Sequence, residues 1–101
     1  MIELLFRPDH PASRGHFPGD PIIPGAVLLS ETLLAIEAGL GASLVPFQIT
    51  SAKFLHPTRP GDRVSIEFSR TTRGEVRFAC AVEGRSVLTG QMSCRALSTA
   101  T

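Results

Sequence analysis

Three stretches in the second half of the chain alternate apolar and polar residues with a period of two. Val64, Ile66 and Phe68 fall on one face and Ser65, Glu67 and Ser69 on the other. Val76, Phe78, Cys80 and Val82 repeat the pattern, with Arg77 pointing outward, and Leu88, Met92 and Cys94 share one face of the last stretch. Successive strand side chains point to opposite faces, so each stretch predicts a half-buried antiparallel strand, over residues 62–71, 75–82 and 86–96. Thr72-Arg73-Gly74 and Glu83-Gly84-Arg85 supply the tight turns between them. Two shorter apolar runs, residues 2–6 and 47–55, predict a first and a second strand, each halted by a proline soon after.

The pattern between those first two strands is different. Residues 24–38 read as a helix, with Pro24 near the first turn, where its missing N–H costs nothing, and with Gly39 and Gly41 as places to stop. Ala26, Val27, Leu28, Leu29, Leu33, Leu34, Ala35, Ile36 and Ala38 cover nearly the whole circumference. A helix apolar all round is expected to be buried, and at this length it cannot span a bilayer. One such helix and about five strands predict an α+β fold in which an antiparallel sheet wraps one central apolar helix. At 101 residues the chain is expected to be one domain, residues 1–101. The stretch before the helix is a stiff loop: Pro18, Pro21 and Pro24 fix φ, and Gly19 and Gly25 allow backbone shapes that other residues resist.

Charge narrows the partners. The formal net charge is +1, which gives no case for nucleic acid. The positive charge is carried by nine arginines and one lysine, Lys53. Arginine suits phosphate and carboxylate groups, although the same residues can simply solvate a β-surface. Cys80 and Cys94 fall on separate predicted strands and read as reduced, buried small hydrophobes. Met1–Arg7 is too short and too acidic for a signal peptide, and no apolar run is long enough for a membrane span. A cytoplasmic protein is expected. Asp9, His10 and His16 have no diagnostic metal spacing, so neither metal nor cofactor is expected.

His16-Phe17-Pro18-Gly19-Asp20-Pro21, followed by Pro24-Gly25, resembles the motif of the 3-hydroxyacyl-acyl-carrier-protein dehydratases of fatty-acid synthesis. A second stretch agrees: Ala52 to Asp62, with its His56-Pro57-Thr58-Arg59-Pro60-Gly61-Asp62 turn, is similar to the family's strand and Pro-Gly-Asp turn. The resemblance covers most of the chain. It implies a hotdog fold, and a homodimer or larger homo-oligomer with the active site at the subunit boundary. A small chain buries a modest share of its surface, which also favours association.

The resemblance implies roles for particular residues. His16 would be the base that removes the C2 proton of a 3-hydroxyacyl thioester, since imidazole titrates near neutrality. Outside this motif, the same histidine could simply be bonded to loop backbone. The amides of Gly25 and Ala26, at the positive end of the helix, would hold the thioester carbonyl. Phe17, Phe54 and Phe78 could line an acyl tunnel or belong to the core. One position departs from the family: the catalytic carboxylate expected fourteen residues after the histidine is Ser30, and Glu31 follows it. Serine is a far weaker acid than a carboxylic acid. Glu31 is rotated by about 100° from Ser30 and would reach the same place only if the helix were re-registered by one residue. Glu37, about 10 Å along the same face, is too far to be the direct acid.

Three functions remain open. The first is a dehydratase-like lyase acting on a thioester of acyl carrier protein or coenzyme A, with His16 and Glu31 as catalytic residues and Phe17, Gly25, Ala26 and Ser30 against the substrate. The second is a hotdog acyl thioesterase in which Glu31 activates water. The third is a non-catalytic acyl-binding subunit, which Ser30 favours.

Overall fold

The computed structural model describes residues 2–7, 22–41, 43–44, 47–71 and 73–94. Five strands and one helix follow in the order β1 (Ile2–Leu5), α1 (Gly25–Leu40), β2 (Phe47–Phe54), β3 (Arg63–Arg70), β4 (Glu75–Val82) and β5 (Arg85–Cys94). The strands form one antiparallel sheet in the order β1-β3-β4-β5-β2, which leaves β1 and β2 at the edges. The expected α+β architecture is therefore present, with its central meander β3-β4-β5 joined by short turns.

Register in the meander follows from alternation. Val64, Ile66 and Phe68 lie opposite Val82, Cys80 and Phe78. Val76 and Cys80 lie opposite Met92 and Leu88. Among them Val64, Ile66, Val76, Phe78, Cys80, Leu88, Met92 and Cys94 are buried and form most of the core. The β4–β5 hairpin turns through Glu83 and Gly84, both at positive φ, +51° and +80°. That geometry belongs to the two-residue turns whose twist matches paired strands. A bulge next to it places an extra residue, Val87, on β5 opposite the Cys80–Ala81 step, and Val87 is buried together with Leu88.

The helix differs from expectation in two ways. It runs two residues further, to Leu40, and passes through Gly39 before stopping at Gly41. Gly41 sits at φ +67°, and its amide closes the last turn on the Glu37 carbonyl at 2.9 Å. A left-handed residue at that position favours glycine. The helix is also not buried all round. Leu28, Thr32 and Ile36, spaced four apart, form the buried stripe, whereas Ala26, Ser30 and Ala38 are exposed and Leu34 is 58% exposed. One sheet can cover only one side of a cylinder, and the five strands of this chain lie on that side.

Thr32 interrupts the apolar stripe without leaving an unpaired hydroxyl. It donates to the Leu28 carbonyl one turn back, at 2.7 Å, and lies 3.5 Å from Cys80 Sγ. Burial pushes the Cys80 thiol above its ordinary value, and the contact with Thr32 offsets this in part. Burial also raises the Cys94 thiol, helped by the charge of Glu37. Both cysteines are buried and unbridged, as their sequence setting implies.

Strand ends match to within a residue or so, and three differences have local causes. Phe6 leaves the predicted first strand, but its amide reaches the Asp62 carbonyl at 3.0 Å and its ring is buried. The third strand is one residue shorter at each end than the predicted 62–71. The last strand starts one residue early at Arg85, and residues 95 and 96 lie outside the described residues, as does the polar tail. On β2, every residue but Ile49 is exposed, so that edge strand lacks cover on either face.

Gly90 tests the packing of the meander. A Cβ there would clash with the Phe78 ring and stand 2.9 Å from the Ser51 carbonyl oxygen, so backbone and core crowd it together. Gly90→Ala should destabilise the fold by about 2 kcal/mol. Urea unfolding checks this, and an unchanged midpoint would show that the β2–β5 spacing is slack.

Candidate active site

Pro24 sets up the start of α1. It serves as the N-cap with φ −57° and ψ 144°, and no side chain caps this end. Its carbonyl accepts from both Val27 and Leu28, each at 3.0 Å. Gly25 and Ala26 are thereby left as the first-turn donors, and neither amide has a hydrogen-bond partner among the described residues. Two unpaired amides at the positive end of a sixteen-residue helix make a site for an oxyanion or a polarised carbonyl.

Gly25 borders an apolar cleft. A hollow of about 430 Å³ is lined by Ile22, Ile23, Gly25, Leu28, Phe54, Leu55, His56, Pro57 and Thr58. Two elements meet there. The lead-in to α1 supplies Ile22 and Ile23, and the end of β2 with its following turn supplies residues 54 to 58. They are tied by a backbone hydrogen bond from the Ile23 amide to the Thr58 carbonyl, 2.7 Å long. Leu55 is held in turn by its amide, which donates to the Val87 carbonyl at 2.9 Å. The Phe54 ring lies over Gly25 so closely that a Cβ on Gly25 would stand 3.0 Å from it. Glycine at that position therefore keeps the aromatic ring against the helix start.

The predicted residues fall into four groups. Gly25 and Ala26 stand at the helix start as expected. His16 and Phe17, like Asp9 and His10, lie outside the described residues. Ser30 is exposed on the outer face of α1, in a separate hollow of about 220 Å³ with Leu33, Leu34, Glu37, Leu44 and Phe47. Glu31 is half-buried on the flank of the helix and does not line that hollow. The helix starts directly after Pro24.

Of the two other phenylalanines considered for an acyl surface, Phe78 is buried core, whereas Phe54 is 50% exposed and lines the cleft. The other lining residues, among them Ile22, Ile23, His56 and Thr58, were not proposed as site residues from sequence. The one signal for His56 and Thr58 was the Ala52-to-Asp62 stretch that contains them. Glu37 has a structural occupation: its Oε2 accepts the Leu44 amide at 2.7 Å, closing the segment after the helix. Among the described residues no group of histidine, cysteine and carboxylate side chains could hold a metal, and no helix is long and apolar enough to cross a membrane.

Comparison with known proteins agrees with this arrangement. The profile of the ApeI-like family, described as ApeI dehydratase, matches residues 1–91. The 3-hydroxyacyl-[acyl-carrier-protein] dehydratase FabZ of Rhizobium rhizogenes is 41% identical over 81 residues, covering 71% of this chain and 52% of that protein. The chain spans about half to two thirds of the length of the curated relatives it matches. Among solved structures, the dehydratase heterocomplex ApeI:P from Xenorhabdus doucetiae superposes with a TM-score of 0.74 at 21% identity, over 93% of this chain and 85% of that one. A 1,4-dihydroxy-2-naphthoyl-CoA thioesterase from Synechocystis has a TM-score of 0.63 at 14% identity, over 90% of this chain and 76% of that one. The fold is thus the hotdog fold.

Glu37 separates structure from chemistry. Glu37→Ala removes the acceptor of the Leu44 amide and should lower stability by about 1–2 kcal/mol. Thermal unfolding measures that loss. An unchanged melting temperature would show that the Leu44 contact contributes nothing.

Proposed function

This chain belongs to the ApeI-like dehydratase family, and we propose that it eliminates water from a 3-hydroxyacyl thioester. The observation that carries this reading is the pair of amides, Gly25 and Ala26, unpaired among the described residues at the start of α1, where Gly25 lines an apolar cleft. Elimination needs a place where charge can collect on the thioester oxygen as the C2 proton leaves, and two convergent N–H groups provide it. The apolar walls suit the acyl chain.

In the proposed reaction His16 takes the C2 proton. The C2–H electron pair moves into the enolate and then into the C2–C3 double bond. The C3–O bond breaks as an acid protonates the hydroxyl, and water leaves. Glu31 is assigned as that acid, because Ser30 lacks a carboxyl group and Glu37 is held by Leu44. The carrier is acyl carrier protein or coenzyme A, and the setting is the cytoplasm. Phe17 is assigned to the acyl surface.

The quaternary proposal is a homodimer or larger homo-oligomer. The outer face of α1, with Leu34 exposed, and the uncovered edge strand β2, with Phe47 and Phe54 exposed, are the surfaces a second copy would cover. Ser30 supports a second reading. With no carboxyl group at that position, the chain could be a non-catalytic subunit that holds an acyl group or pairs with an active relative.

His16→Ala should lower turnover of a 3-hydroxyacyl thioester by a factor on the order of 10²–10⁴ while the fold survives. If Glu31 is the acid, Glu31→Gln should fall about as far and Ser30→Ala should do little. If the site has lost its acid, the wild type is slow, Glu31→Gln is silent, and Ser30→Glu raises the rate, because it restores a carboxyl group at the expected position. One hydroxyacyl substrate measured across the set decides between them. If no variant changes the rate and acyl thioesters are not hydrolysed either, the binding-subunit reading stands.

Sedimentation tests the assembly. The wild type should be a dimer or larger at micromolar concentration, and Leu34→Glu should shift it towards monomer. A stable wild-type monomer would refute the oligomer.

A further inference from the structure

The edge of the Phe54 ring closes one side of the cleft at the helix start. Its Cε1, Cζ and Cδ1 atoms stand 3.0, 3.1 and 3.3 Å from where a Cβ on Gly25 would be. These three atoms are consecutive in the ring, so one whole ring edge lies along Gly25. Phe54 is nevertheless 50% exposed, and it lines the cleft together with Gly25. It is the last residue of β2 and pairs with Leu88 of β5, so the sheet fixes its backbone. The next residue is fixed as well, by the bond from the Leu55 amide to the Val87 carbonyl. The ring is therefore held beside the helix start by its own strand, without being packed into the core.

The cleft has an inside and an outside. Ile23 and Leu28, which line it, are 3% and 2% exposed, whereas residues 54–57 form an exposed rim. An acyl thioester would turn its apolar chain towards Ile23 and Leu28 and its polar arm towards solvent. A carbonyl oxygen accepting from the Gly25 amide sits about 2.9 Å from that nitrogen. C2 follows the carbonyl carbon on the acyl side, so the ring edge along Gly25 stands beside C2. A hydrogen on C2 fits there. A methyl group in its place must push the ring aside or draw the carbonyl away from its donor. Overfilling a close contact of this kind weakens binding by a factor of about ten or more.

We propose that Phe54 is a specificity-determining residue whose ring edge bars substituents at C2, so that the cleft takes acyl groups unbranched at that carbon. The role rests on an acyl thioester lying with its carbonyl at the start of α1. Phe54→Leu removes Cε1 and Cζ, the two atoms nearest Gly25, and keeps an apolar side chain on the strand. Phe54→Ala removes the whole ring from a half-exposed position at a strand end, where little of the core is emptied.

The test is equilibrium binding of two pantetheine amides, hexanoyl and 2,2-dimethylhexanoyl, in which nitrogen replaces the thioester sulfur so that hydrolysis does not intervene. Replacing both C2 hydrogens puts a methyl group against the ring whichever way C2 is turned. The wild type should bind the unbranched amide about tenfold tighter or more. Phe54→Leu and Phe54→Ala should each reduce that preference about tenfold. A ring that served only folding or subunit assembly would, when removed, weaken both amides alike, and that result would overturn the role. So would an unchanged preference in either variant, a wild type without preference, or a wild type that binds neither amide. Circular dichroism identifies a variant that has not folded, and the other then decides. If neither folds, the ring belongs to the core and the role is overturned. Turnover of 3-hydroxyhexanoyl pantetheine by the wild type is read separately. Water elimination with an unchanged preference in the variants overturns the Phe54 role and leaves the dehydratase reading. A preference lost in the variants, with no elimination by the wild type, leaves the role and overturns the dehydratase reading. If neither amide binds and no water is eliminated, both fail.

Discussion

The hydrogen bond between the Ile23 amide and the Thr58 carbonyl, 2.7 Å long, is the constraint on which the candidate site depends. It joins two segments that are distant in sequence, the approach to α1 and the turn between β2 and β3. With it in place, the helix starts against the end of β2, and the ring of Phe54 lies over Gly25. The cleft is the space left between these two segments. At the helix end of that space, the Pro24 carbonyl accepts from Val27 and Leu28, and the Gly25 and Ala26 amides have no partner among the described residues.

The helix divides its surroundings in two. The stripe Leu28, Thr32 and Ile36 belongs to the sheet of its own chain. The opposite face carries Ser30, Leu34 and Glu37 around a second hollow. That division matters for the chemistry, because Ser30, the position where a carboxylate was expected, lies on the face that this chain leaves open. Glu31, rotated by about 100°, belongs to neither face. The two hollows are also chemically unlike. One combines unpaired donors with apolar walls, while the carboxylate of the other is occupied by the Leu44 amide.

Much of the fold was legible because alternation is a direct signature of a one-sided sheet. The β3, β4 and β5 strands were readable from Val64 to Cys94 on that basis, and the glycine turn at Gly84 agreed. Val87 was not readable, because a bulge adds a residue and breaks the period of two at that point. Thr32 was not readable either, since its hydroxyl is satisfied within the helix and the residue behaves as part of the apolar stripe. The helix misled for a different reason. Apolar residues all round predicted burial on every side, but the single sheet of this chain covers one side, and only Leu28, Thr32 and Ile36 are buried. At the site, Gly25 and Ala26 were legible from Pro24 and the start of the helix. Thr58 was not, because a threonine between prolines looks like turn chemistry until its burial and its place in the cleft are known.

Lys53 is the only lysine in the chain, and it lies exposed on β2, next to Phe54. Apart from the amino terminus, the protein therefore has one primary amine. An amine-reactive dye would mark a single internal position, on a strand with an open edge and beside a ring that lines the cleft. Such a label would report through its own emission whether that edge is covered, with no mutation needed to place it. The same ammonium group puts a strongly hydrated charge on the open edge, which hinders indiscriminate strand addition there.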